Sequence, residues 1–188
     1  MGGVDKGLLE LRGRPLAAWV VDRLRPQVDR LLINANQNRE RYAEFGCPVV
    51  ADEIPDFAGP LAGLHAALSA ASTPLVVTAP CDSPFLPREL VSRLFSALVA
   101  TAADLAVART FDQPHPVFCL CRREVLPHLT EFLAGGGRKI DRWYATLKVV
   151  EVAFDDEAGA FENINTPEEL GHFEATPVIA GHPGSASR

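Results

Sequence analysis

No apolar run in this chain approaches the roughly 18 residues that a membrane helix needs, so the sequence offers no candidate span. Its start also lacks the basic and then apolar pattern of a secretory signal, which predicts a cytoplasmic protein with no membrane partner. Positive charge is in short supply: 18 Lys and Arg stand against 24 Asp and Glu, for a net charge of -6. A protein that grips a nucleic-acid backbone usually shows a basic face. Nucleic acid is therefore excluded as a general partner, while a small phosphorylated ligand held by a few local cations is not. Cysteine is sparse and shows no CxxC spacing, and Cys47, Cys81, Cys119 and Cys121 stand in apolar, strand-like surroundings. Buried free thiols are expected there rather than disulfides or a zinc site. Internal repeats are absent as well.

What is present fits one α/β domain. At 188 residues the chain can bury a sizeable core and is short for two. A single domain over residues 1–175, monomeric, is expected, followed over 176–188 by a tail whose Pro, Gly and Ser content reads as disordered. The organising stretch is Pro74-Leu75-Val76-Val77-Thr78-Ala79-Pro80-Cys81-Asp82, an apolar run ending on a carboxylate. Such a run reads as a central strand of a parallel sheet, buried on both faces. Asp82 is then the first charge at its carboxyl end, where open α/β sheets bind their ligands. The alternative for Asp82 is a turn former, and it lies too far upstream to cap the helix expected from about Pro87 to Val99.

Taken in order, Met1-Gly2-Gly3-Val4-Asp5-Lys6-Gly7 is either a glycine-rich start or a phosphate cradle in which Lys6 supplies a point charge. A hairpin arm turning at Arg12-Gly13-Arg14 follows, then a helix from Pro15 with Leu16, Val20, Val21 and Leu24 on one face. Arg30 to Asn34 and Cys47 to Ala51 read as strands flanking a short helix from Asn38 to Phe45. Asn34 is a turn residue or an amide that reads a nucleobase or ribose, and Asp52 closes the second of these strands. Gly59 and Gly63, four apart on the next helix, let a partner group approach that helix end closely.

This alternation of strand and helix predicts βαβ units in a mostly parallel sheet with helices on both faces. Two apolar runs, Asp104 to Ala108 and Pro116 to Cys121, are expected to be joined by a loop overhanging the sheet. That loop holds His115 between two prolines, as a ligand contact or a structural hydrogen bond. The Gly135-Gly136-Gly137-Arg138-Lys139 turn grips a phosphate or is solvated, and Leu147 to Phe154 returns as a strand. Near the end, Thr166, Pro167 and Glu169 form a capping box. Asn163 and Asn165, two apart on an extended segment, point to one side, toward solvent or the crevice.

Four segments, Met1 to Leu9, Gly59 to Leu64, Pro80 to Phe85 and Asn163 to Leu170, together closely resemble the molybdenum cofactor guanylyltransferases, MobA. The resemblance implies a Rossmann-like nucleotidyltransferase fold and transfer of GMP from Mg-GTP to molybdopterin carrying molybdenum. By the same resemblance, Lys6 contacts the GTP phosphates, Asn34, Asp52, Gly59 and Gly63 read the nucleoside, and Asp82 ligates Mg²⁺. Arg138, Asn163 and Asn165, with His115, match positions on the molybdopterin side. Molybdoenzymes or cofactor-delivery proteins are implied as further partners. A sister enzyme transferring CMP and a non-catalytic molybdopterin-binding module are the competing readings. Members of the family carry an apolar strand and a Leu-Ala-Gly-Gly loop ahead of the Met-Gly-Gly, and this sequence does not contain them. The expectation is that unpaired strand edges and an uncovered apolar strip are left in the sheet.

Overall fold

The computed structural model describes residues 5–54, 59–164 and 169–171. A 3-10 turn, Lys6–Leu8, leads into the hairpin of β1 (Glu10–Leu11) and β2 (Arg14–Pro15). Arg12 at φ 55 and Gly13 at φ 72 supply the two left-handed residues that a tight hairpin turn demands. Helix α1 (Leu16–Leu24) buries Leu16, Val20 and Val21, as its spacing predicts. Strand β3 (Ile33–Asn34), α2 (Arg39–Ala43) and β4 (Val49–Val50) form a unit in which β3 and β4 pair in parallel. Then come α3 (Pro60–Ala70), β5 (Leu75–Thr78), α4 (Leu90–Thr101), β6 (Leu105–Thr110), β7 (Gln113–Arg122), α5 (Leu126–Ala134), α6 (Ile140–Tyr144) and β8 (Val149–Ala153).

The larger sheet has the order β5-β7-β6-β8. β7 is antiparallel to both neighbours and β6 is parallel to β8, so β5, β6 and β8 all run one way and β7 alone runs against them. Two-residue alternation divides the sheet's side chains between two layers. Leu105, Val107, Cys119 and Cys121 pack with Leu61, Leu64 and Leu68 of α3, Leu129 and Leu133 of α5, and Trp143 of α6. On the opposite face Ala106, Ala108, Phe118 and Leu120 pack with Val20 of α1 and Leu90, Leu94 and Leu98 of α4. Helices therefore cover both faces.

Several expectations need correction. The residues of β5 are half-buried, not buried on both faces. Among the described residues β5 has a ladder only with β7, and β3 only with β4. Between β3 and β5 lies a cavity of about 770 Å³, lined by Leu32, Val76 and Val77 and by α1 and α3 residues such as Val21 and Leu64. It is this opening that wets the strand. The expected overhanging loop is instead a tight turn at Phe111 and Asp112, with Phe111 at φ 50. His115 consequently lies within β7, opposite Ala108, next to a register shift in the β6 ladder. Helix α4 starts at Leu90, after Pro87 rather than around it, and α6 had no counterpart in the sequence reading. Cys47, Cys119 and Cys121 are buried free thiols, whereas Cys81 is exposed. The capping box at Thr166, together with Asn165, Gly2, Gly3 and residues 172–188, lies outside the described residues.

Candidate active site

Beyond β5 the chain turns at Cys81 and Asp82, so the Asp82 carboxylate emerges at the strand's carboxyl end. Its side chain is 12% exposed, and Lys6 Nζ lies 3.8 Å from Oδ2. Burial raises the Asp82 carboxyl above its ordinary range, against the opposing pull of Lys6. A carboxylate so placed favours a cation beside it. The backbone fixes the same spot from the far end of the chain, because Ile164 N donates to Asp82 O at 2.9 Å. Next to it, Ser83 Oγ donates to Asn163 Oδ1 at 2.6 Å. Lys6, Asp82 and Asn163 are thus brought together from three remote segments.

A second cluster sits where β3 and β4 end. Asn34 Nδ2 donates to Asp52 Oδ1 at 3.0 Å, and Asn36 Nδ2 donates to Oδ2 at 2.8 Å. Asp52 N returns a bond to Asn36 Oδ1 at 2.9 Å. Gly63 on α3 approaches this cluster so closely that a Cβ there would stand 2.7 Å from Asn34 Oδ1, so that the amide would have to shift. Gly59, at φ 62, precedes the helix in a conformation that only glycine adopts readily. Asn34, Asp52, Gly59 and Gly63 line the cavity between β3 and β5, as does Cys81, the chain neighbour of Asp82.

The remaining candidates are engaged in local structure. His115 stacks on Phe161 with centroids 4.7 Å apart, and its Nε2 is 2.7 Å from Thr110 Oγ1. Burial lowers its pKa, favouring the neutral ring. Arg138 folds back so that Nη1 donates to Leu133 O at 2.9 Å, closing the carbonyl end of α5.

Sequence reasoning passed over Asn36 and Ser83. The Asn-x-Asn spacing of Asn34 and Asn36 on an extended segment carries the signal for the first, since both amides share a side. Nothing local marks Ser83, whose partner is 80 residues away. Among the described residues no group of three or more His, Cys, Asp or Glu could hold a metal, and no helix is long and apolar enough to cross a membrane.

Known proteins resemble this chain over most of its length. The MobA-like NTP transferase domain matches residues 1–149. A protein of Cupriavidus taiwanensis named molybdenum cofactor guanylyltransferase is 53% identical over 180 residues, covering 93% of this chain and 90% of that protein. A protein of Polynucleobacter asymbioticus with the same name is 48% identical over 179 residues, 93% of this chain and 89% of its own. Among solved structures, molybdopterin-guanine dinucleotide biosynthesis protein A from Archaeoglobus fulgidus superposes with a TM-score of 0.76 at 25% identity, covering 92% of this chain and 90% of that one. The 2-C-methyl-D-erythritol 4-phosphate cytidylyltransferase of Thermus thermophilus, with a TM-score of 0.67 at 21% identity over 92% of this chain and 93% of that one, shares the fold.

Proposed function

The chain belongs to the MobA-like NTP transferase family, and we propose that it transfers GMP from Mg-GTP to the terminal phosphate of molybdopterin carrying molybdenum, releasing pyrophosphate. The observation that carries this reading is Lys6 standing 3.8 Å from Asp82 at the end of β5, in a chain about half identical to proteins named for that activity.

In this reading an oxygen of the acceptor phosphate attacks the α-phosphorus of GTP, and the bond from that phosphorus to the bridging oxygen breaks. Pyrophosphate takes the electron pair. The acceptor phosphate is already ionised near neutral pH, so no protein base has to remove a proton. The work left to the protein is positioning and charge neutralisation. Lys6 holds a phosphate oxygen, while Asn34 and Asp52, with the close approach at Gly63, read the nucleoside. Asn163, seated by Ser83, faces the acceptor. His115 and Arg138 serve that side by fixing the β6–β7 turn and the end of α5.

The residues suit Mg²⁺ as the metal. A single carboxylate at the carboxyl end of β5, with a lysine ammonium beside it, matches the habit of Mg²⁺, which takes one or two carboxylates and completes its shell with phosphate and water. Asp82 would hold the ion, which when bound supplies positive charge to the departing pyrophosphate.

Residues 1–175 act in this scheme as one nucleotidyltransferase domain. The cavity between β3 and β5 is the place for an extended apolar strand, with a glycine-rich turn delivering N–H groups to the triphosphate. Two strand edges without ladders among the described residues support it.

The test is incubation of the purified protein with Mg²⁺, the molybdenum cofactor and either GTP or CTP, with chromatography of the dinucleotide product and assay of pyrophosphate. Guanine dinucleotide is expected. Cytosine dinucleotide alone would replace the reading with cytidylyl transfer. Cofactor binding without turnover of either nucleotide would leave a binding module.

A further inference from the structure

Asp5 precedes the 3-10 turn that carries Lys6, in the position from which an aspartate ordinarily caps its own helix. Here the carboxylate makes no such cap bond. Both oxygens reach away from the turn to α2 and the residue before it: Tyr42 Oη donates to Oδ1 at 2.5 Å, and Asn38 Nδ2 donates to Oδ2 at 2.9 Å. These partners are themselves tied, since Tyr42 N donates to Asn38 O at 3.2 Å. Asn38 holds a left-handed conformation at φ 51, one that asparagine accepts more readily than most residues.

Gly7 completes the arrangement. It is buried, and a Cβ on it would collide with Tyr42 Oη and stand 3.1 Å from Cys81 Sγ. Only glycine lets the phenol pass the turn and lets the turn lie against the residue preceding Asp82. Tyr42 is 4% exposed and meets Phe45 edge-on at 6.0 Å, so the phenol has little room to move. Burial and the Asp5 carboxylate push its hydroxyl well above the ordinary range, and it stays a donor wherever the enzyme works.

We propose that Asp5, Tyr42 and Asn38 form a clamp that positions Lys6, holding the backbone of its turn so that the ammonium meets the triphosphate beside Asp82. A lysine on a four-carbon stem loses rotamer freedom when fixed. Anchoring its backbone at the neighbouring residue narrows the search without occupying the ammonium. The inference rests on the assignment of Lys6 made above, and the three residues are positioning residues, since none is assigned a contact with a reacting atom.

The experiment is a cycle of Tyr42→Phe and Asn38→Ala, each made alone and in a Lys6→Ala background. Single-turnover GMP transfer, KM for the molybdenum cofactor and thermal melting are measured for every protein. Each single variant should lower turnover about tenfold, the worth of a charge-assisted hydrogen bond, with KM for the cofactor unchanged. In the Lys6→Ala background the same changes should alter turnover by less than about twofold, because coupled residues do not add. Equal losses in both backgrounds would overturn the clamp alone. Full activity of Lys6→Ala would overturn the clamp and the role of Lys6 together. Should Tyr42→Phe fail to fold, Asn38→Ala, at an exposed position, decides the question by itself.

Discussion

Lys6 and Asp82, 76 positions apart by their numbers (82 minus 6), face each other at 3.8 Å with the carboxylate buried and the ammonium half exposed. In the proposed reaction this lysine, which can swing to solvent, exchanges the carboxylate for a phosphate, and Asp82 is left for the metal.

Replacing Asp82 with Ala should reduce guanylyl transfer at least a hundredfold, the scale of a lost metal ligand, while the protein still melts cooperatively. Turnover within about tenfold of the parent, at saturating Mg²⁺ and GTP, would remove Asp82 from the site.

The same carboxylate carries a pH signature. Its folded-state pKa is raised by burial, so the stability it contributes is fully present below the unfolded value and is lost as pH rises through the folded one. Asp82→Asn should therefore melt higher than the parent at neutral pH. The gap should close at and below pH of about 4, the ordinary carboxylate range. Melting curves across that interval, taken without Mg²⁺, decide it.

Lys6→Ala should cost less than loss of Asp82. One charge-assisted phosphate contact is worth roughly 1.5–3 kcal/mol, or about ten- to a hundredfold in kcat/KM. Titration with GTP in Mg²⁺ should show part of that loss as weaker binding.

Gly63→Ala drives a methyl into Asn34 Oδ1 and must turn that amide away from Asp52. GTP binding should weaken about tenfold, the value of one hydrogen bond, with little change in KM for the molybdenum cofactor. Asn163→Ala and Ser83→Ala should do the reverse, raising that KM more than they weaken GTP, since the two share one bond.

An apolar strand fused ahead of Met1, ending in a glycine-rich turn, should raise the melting temperature and the GTP affinity together if it fills the cavity between β3 and β5. A fusion that changes neither would mean that the cavity is not a strand site.

The sequence was most legible where one residue's own chemistry decides. The apolar runs Asp104 to Ala108 and Pro116 to Cys121 mark two strands, the Arg12-Gly13 pair makes its turn, and the apolar run before Asp82 marks a strand end. It was least legible where a distant partner decides. The half-burial of Leu75 to Thr78 depends on what lies beside β5. Nor does the stretch Pro114-His115-Pro116 announce that it continues an antiparallel strand rather than a loop. The Asn34, Asn36 and Asp52 cluster needs two strands in parallel register before its spacing means anything. Asp5, inside the glycine-rich start, has no role of its own in the sequence until Tyr42 is found against it.

The bond between Ser83 and Asn163, made across 80 residues of sequence, also bears on the order of assembly. Joining chain ends that far apart carries a length-dependent entropy of about 4 kcal/mol, and nothing at the Asp82 turn is gained in return until β6, β7 and β8 have formed between them. During synthesis the acceptor side of the crevice must therefore be the last to close. On the roles proposed above, a ribosome-bound chain that has emerged only as far as β8 holds Lys6, Asp52 and Asp82 before Asn163 of the acceptor side has been seated.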